Sequence, residues 1–146
     1  MDIQGYVAGL DTHNRAFVNE IGELLAVSCK IRITEKDSMI RLTYICRTDK
    51  RALFNLKISG NALSVHIYAD NINKYIGEIP DDMTEIIIKG RECDGKAEHT
   101  TCIGGYRLVT DGKEYNKCRY MNFKFDVNDD TREQIKKMIM NEMSYR

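Results

Sequence analysis

Ala52 to Ile67 reads ALFNLKISGNALSVHI, two runs of alternating apolar and polar residues on either side of Gly60 and Asn61. Alternation with period two is the pattern of a strand that buries one face. A two-residue loop of glycine and asparagine, both able to take positive φ, closes such a pair into a hairpin. Setting Ser59 opposite Ala62 puts Ile58 against Leu63, Leu56 against Val65 and Phe54 against Ile67. Every pair on that face is apolar, and a slip of one residue would mix the faces, so this register is the expected one.

The other face then carries Asn55 and Lys57 on one strand and Ser64, His66 and Tyr68 on the next. Upstream the same period continues through Ile31 and Ile33, then Ile40, Leu42, Tyr44 and Cys46, with Arg41 and Thr43 on the polar side. The breaks EKDS and RTDK are turn-rich and short, so four strands are expected to follow one another as an antiparallel meander. A polar face on such a sheet is ordinarily solvated. The functional alternative is a ligand or partner groove, with Asn55, His66 and Tyr68 as its candidate residues.

Helical spacing flanks the meander. Phe17, Ile21, Leu24 and Leu25 predict a helix over residues 12–27 behind a cap at Asp11 or Thr12. Ile72, Tyr75, Ile76 and Ile79 predict a second, Pro80 separates it from a third in DDMTEIIIKG that Gly90 stops, and Ile135, Met138, Ile139 and Met143 predict a closing helix. Asp130 and Glu133 offer that last helix a capping box, and its methionine stripe reads as core. The expected architecture is a single α+β domain over residues 1–146: an antiparallel meander sheet with helices packed on one face, plus a C-terminal hairpin and helix.

Composition agrees with a folded domain. Of 146 residues, 42% are hydrophobic and 30% charged, far from the profile of a disordered chain. Lys plus Arg and Asp plus Glu number 22 each, so no overall field draws the molecule to phosphate backbones or anionic lipid. Nucleic-acid binding would need a local basic cluster. The start MDIQGYVAGLDTHNRAF has no basic segment followed by an apolar run, and no long apolar stretch occurs, which leads to the expectation of a cytosolic protein without a membrane partner. In that compartment five cysteines point to free thiols, metal ligands or catalysis before disulfides. Cys29, directly after the first helix, reads as a small buried residue.

Three of those cysteines lie in CDGKAEHTTCIGGYRLVTDGKEYNKC, Cys93 to Cys118. Asp111 and Gly112 form a hairpin turn signal. Closing it with Thr110 opposite Lys113 pairs Leu108 with Tyr115 and Gly105 with Cys118, three residues from Cys102 or about 10 Å of extended chain. The spacing of HTTC suits two zinc ligands on a tight turn. Cys93, His99, Cys102 and Cys118 are thus the candidate ligands of a structural zinc ion.

Two other readings stay open: unligated loop and core thiols, and thiol catalysis by Cys102 with His99 as base and the backbone of Ile103 to Gly105 as oxyanion donor. Lys89, Arg91, Lys96, Lys117 and Arg119 near Tyr106, Tyr115 and Tyr120 have the residue types of a base-stacking surface. Solvated charge is the commoner outcome, and Glu92, Asp94, Glu98 and Glu114 lie among them. No Walker loop, GxGxxG, HExxH or GxSxG motif is present.

CIGGYRLVTDGKEYNKCRYMNFKFDV, preceded by Cys93, resembles the C-terminal part of small uncharacterised bacterial proteins in which cysteines precede a hairpin with a GKEYxKC-like strand. The resemblance extends over about the last two-thirds of the chain, ALFNLKISGNALSVHIYADNINKY included. It implies a cysteine-bearing appendage on a small α+β domain and brings no activity. Where denser patterns of this kind carry another cysteine, this chain has Ala97, Glu98 and His99. The functional expectation is a cytosolic binding or regulatory module for an unidentified ligand or protein partner, with a structural zinc site. A small thiol-dependent enzyme and a nucleic-acid-binding protein are the rivals.

Overall fold

The computed structural model describes residues 3–89, 105–118 and 123–146. After a single helical turn, α1 (Gln4–Val7), comes α2 (Thr12–Leu25), capped by Asp11, whose carboxylate accepts the Asn14 N–H at 2.7 Å. This cap satisfies one of the donors that every helix start leaves open. Phe17, Val18, Ile21 and Leu25 are buried, whereas Leu24 is 48% exposed, which places it at the margin of the stripe it was expected to join.

Four strands follow as the period-two pattern requires: β1 (Cys29–Lys36), β2 (Met39–Cys46), β3 (Ala52–Ser59) and β4 (Ala62–Ile67). Each pairs with the next in antiparallel fashion. The β3–β4 register is the one that the apolar pairs demanded, with Phe54 opposite Ile67, Leu56 opposite Val65 and Ile58 opposite Leu63. Gly60 sits at φ +60°, where a side chain would be strained. In the β1–β2 turn Asp37 and Ser38 take φ of +51° and +64°, the left-handed pair that matches strand twist. Between β2 and β3 the register shifts after Tyr44, so Leu53 is an extra residue and is buried alongside Phe54. Tyr44 and Phe54, directly opposite, stack with centroids 4.4 Å apart.

The sheet has a fifth strand that sequence reading missed. β7 (Lys124–Asp126) pairs antiparallel with β4, giving the order β1-β2-β3-β4-β7. Between β4 and β7 the chain makes two 3-10 turns, Ile72–Lys74 and Ile76–Glu78, then α3 (Asp81–Lys89) and a separate hairpin of β5 (Gly105–Thr110) and β6 (Lys113–Cys118). The helix expected over Ile72 to Ile79 is therefore two 3-10 turns. All four apolar residues are still buried, but the backbone at Tyr75 (φ −136°, ψ 9°) leaves the helical region and the segment ends at Pro80 within a few residues. Gly90, the expected stop of α3, lies outside the described residues.

α4 (Arg132–Ser144) closes the chain and buries Ile135, Met138 and Ile139 in the same core as α2 and the apolar sheet face. Its expected capping box does not form. Asn128 accepts the N–H groups of Asp130 and Thr131 through its side chain, and Glu133 turns outward to Lys136 at 3.1 Å. The side chain of Asn128 reaches these donors first, as in an Asx turn. The fold is α+β, with the antiparallel sheet backed by helices and its polar face opposite them.

Candidate functional site

Strand alternation sends Arg41, Thr43, Asn55, Lys57, Ser64 and His66 to the side away from the helical core, and the registers stack them into two rows. One row runs Arg41, Lys57, Ser64; the next runs Thr43, Asn55, His66 and continues onto Lys124 of β7. The second row is not solvated in the manner of an ordinary open face. Thr43 is 5% exposed, Asn55 8% and His66 7%. Polar side chains are kept from water only where they find partners, because a lost hydrogen bond in a dry site costs about 1–3 kcal/mol.

Asn55 donates from Nδ2 to the Tyr68 hydroxyl at 3.4 Å, and the His66 and Tyr68 rings lie 4.6 Å apart, tilted by 35°. Asn55, His66 and Tyr68, singled out from the sequence as one face, therefore sit together around a depression of about 110 Å³. Arg41, Lys57, Ser64, Val65 and Lys124 also line it among the described residues. Arg41 and Lys57 belong to the polar face that the alternation predicts, without being among its singled-out candidates. Lys124 was missed because its strand was missed, and the signal for that strand was the short alternation in NFKFDV.

Two larger hollows carry weaker claims. One of about 350 Å³ lies between the start of α3 and α4, beside Pro80, Lys137, Met138 and Met140. Another of about 320 Å³ lies where Ile3 and Ala26 meet Cys29, Ile31 and Ile33. Volume does not choose among these. Binding sites are marked by convergent, positioned polar groups, and the buried row under Tyr68 has them.

A buried ionic network elsewhere has a structural role. Glu142, fully buried, accepts from the Asn71 backbone N–H at 2.6 Å and the Tyr75 hydroxyl at 2.9 Å. Arg146, its neighbour one turn on, donates to the carbonyls of Ala52 and Tyr68 and pairs with Asp70 at 3.3 Å. Together they fasten α4 to β3 and to the segment after β4. Burial, then the Glu142 carboxylate, holds the Tyr75 hydroxyl above the ordinary tyrosine range.

The cysteines divide into two groups. Cys29 and Cys46 face each other across the β1–β2 pair and are free and buried. Burial, then the neighbouring Cys46, pushes the Cys29 thiol up to about 12, so it is a poor nucleophile near neutral pH. Cys46 Sγ also lies 3.7 Å from the sulfur of Met143.

Of the expected zinc ligands, Cys93, His99 and Cys102 lie outside the described residues, and Cys118 is placed by its strand register alone. That register has Gly105 opposite Cys118 and Leu108 opposite Tyr115, with Asp111 at φ +51° and Gly112 at +73° in the turn, as the sequence predicted. Among the described residues no group of three or more His, Cys, Asp or Glu is placed to hold a metal ion. Of the residues read as a base-stacking surface, Arg91, Lys96, Arg119 and Tyr120 also lie outside the described residues. Among the described residues no helix is long and apolar enough to cross a membrane. No protein-family model, curated protein or solved structure matches this chain.

Proposed function

We propose that the protein is a small cytosolic binding module whose recognition surface is the polar face of the sheet, centred on Asn55, His66 and Tyr68. The observation that carries this reading is the burial of Asn55 and His66 beneath a depression on the side of the sheet opposite the helical core. The helices on the apolar face supply stability, and the rigid meander holds the polar row at fixed spacing, an arrangement suited to binding. A reducing compartment fits the two facing free thiols of Cys29 and Cys46. The test is an amide NMR screen of the full chain against a mixed set of anionic, cationic and neutral small molecules. Saturable shifts centred on Asn55, His66 and Tyr68, weakened in His66→Ala, are expected; binders that map only to the hollow beside Met138 and Met140 would overturn the assignment.

A structural zinc ion in the segment Cys93 to Cys118 is a second reading, supported by the β5–β6 register that returns Cys118 to the foot of the hairpin. His99 and Cys102 at HTTC spacing, with Cys93, would complete a tetrahedral set. Purified protein should then hold about one equivalent of zinc. Cys118→Ser should lower that content and Cys46→Ser should not, and reduced protein free of metal would end this reading. The residues of the thiol-enzyme alternative, Cys102 with His99 as base, lie outside the described residues.

A further inference from the structure

We infer that the depression takes a phosphate group, either as the free ion or as the phosphoryl end of a small phosphorylated molecule; this rests on the reading of the polar face as the recognition surface. Arg41 and Lys57 stand directly opposite one another on adjacent strands and on the same face. Like charges so placed repel and cost stability. Among the described residues neither has an ion pair or hydrogen-bonded carboxylate. The chain does neutralise cations elsewhere, pairing Arg51 with Asp70, Arg107 with Glu114 and Lys136 with Glu20. Lys124 also lines the depression, and among the described residues no carboxylate does. The nearest acid in the register is Asp126, opposite Ser64 and outside the lining.

Size and donor chemistry narrow the ligand. A hollow of about 110 Å³ equals the share of three or four waters at about 30 Å³ each. That is room for one tetrahedral oxyanion, and well under the roughly 300 Å³ of a pocket that engulfs a drug-sized molecule. A charged group therefore enters while the remainder of any ligand stays outside, against the tilted rings of His66 and Tyr68. The Arg41 fork matches two oxygens of an oxyanion, and the Lys57 ammonium acts as a point charge on another. The overall charge balance of 22 against 22 makes this attraction local, which favours a compact anion over an extended nucleic-acid backbone.

The test titrates the full chain with sodium phosphate in a chloride buffer of constant ionic strength, followed by amide NMR. Parallel arms use phenyl phosphate, tetramethylammonium, glucose and a single-stranded oligonucleotide. Phosphate and phenyl phosphate are expected to give saturable shifts at Asn55, Lys57, His66 and Lys124. Lys57→Met and Arg41→Met should each weaken binding about tenfold, one charge-assisted contact being worth about 1.4 kcal/mol, and Lys137→Met should leave it unchanged. Without phosphate, Lys57→Met should raise the thermal midpoint because it removes the repulsion from Arg41. Affinity and stability moving in opposite directions is a result that a purely structural lysine does not produce.

Tighter binding of phenyl phosphate than of phosphate identifies a phosphorylated ring compound as the ligand; equal binding identifies the free ion. Several outcomes overturn the inference. Shifts that persist in both variants show ionic screening, and an oligonucleotide that binds far more tightly than phosphate shows a polyanion surface. If glucose or tetramethylammonium shifts the same residues and no oxyanion does, the phosphate inference falls and the recognition face stands. If no compound shifts them, both fall.

Discussion

Replacing Glu142 measures how firmly the closing helix is tied to the sheet. Its carboxylate is 0% exposed and accepts the Asn71 N–H at 2.6 Å, the Asn71 side-chain amide at 3.2 Å and the Tyr75 hydroxyl at 2.9 Å, with Arg146 Nε 3.5 Å away. Leucine at this position leaves the Asn71 N–H and the Tyr75 hydroxyl without an acceptor, at about 1–3 kcal/mol each. Arg146 loses one carboxylate and keeps Asp70 at 3.3 Å, which limits the charge penalty. Glu142→Leu should therefore cost about 3–5 kcal/mol, the range for breaking one side of a buried ionic pair. Glu142→Gln keeps an acceptor and the shape, and should cost about 1–2 kcal/mol, close to the worth of one charge-assisted bond.

Urea unfolding followed by circular dichroism reads both variants, provided the denaturant slope is unchanged. Tyr75→Phe in a double-mutant cycle isolates the hydroxyl contact, and the pair should be less than additive. A loss below about 1 kcal/mol for Glu142→Leu would refute the reasoning, since no buried group with three donors on it can be removed so cheaply.

Three further expectations concern other links. The Tyr44 hydroxyl is buried without a hydrogen-bond partner, so Tyr44→Phe should leave stability unchanged or raise it by up to about 1 kcal/mol; a clear loss in urea unfolding would contradict this. Burial, then Cys46, raises Cys29 to about 12, and burial, then Cys29, raises Tyr44 to about 12. The folded chain thus keeps protons that the unfolded chain has shed above roughly pH 9, so stability should be level below that pH and fall as pH rises toward 12. Cys29→Ala should flatten part of that fall in unfolding curves taken across the range. The Asn73 side chain donates to the Arg107 carbonyl and accepts the Val109 N–H at 3.0 Å; Asn73→Ala should speed hydrogen exchange across β5 and β6 while the five-strand sheet keeps its protection.

Within Ala52 to Ile67 and Arg107 to Asn116 the sequence determined strand, turn and pairing together. The reason is local: a two-residue loop leaves few registers, and the alternation of apolar side chains rejects all but one of them. The same alternation put Asn55, His66 and Tyr68 on one face before any contact was known. The β2–β3 pairing was less legible, because the extra residue at Leu53 changes the register between Tyr44 and Ile45 and shows in the sequence only as two adjacent apolar residues.

What pairs across long separations was decided by tertiary structure alone. β7 has three residues, so the alternation in NFKFDV is too short to select a strand by itself, and the open edge of β4 supplies its hydrogen bonds. Lys124 reaches the depression only through that pairing. Glu142 reads in sequence as one more charged helical position, and it is buried because Asn71, Tyr75 and Arg146 converge on it from other segments. Backbone preference and apolar period act over a few residues and are written in order along the chain. The meeting of charges is set by which surfaces the core draws together, and that exists only once the sheet and its covering helices have closed.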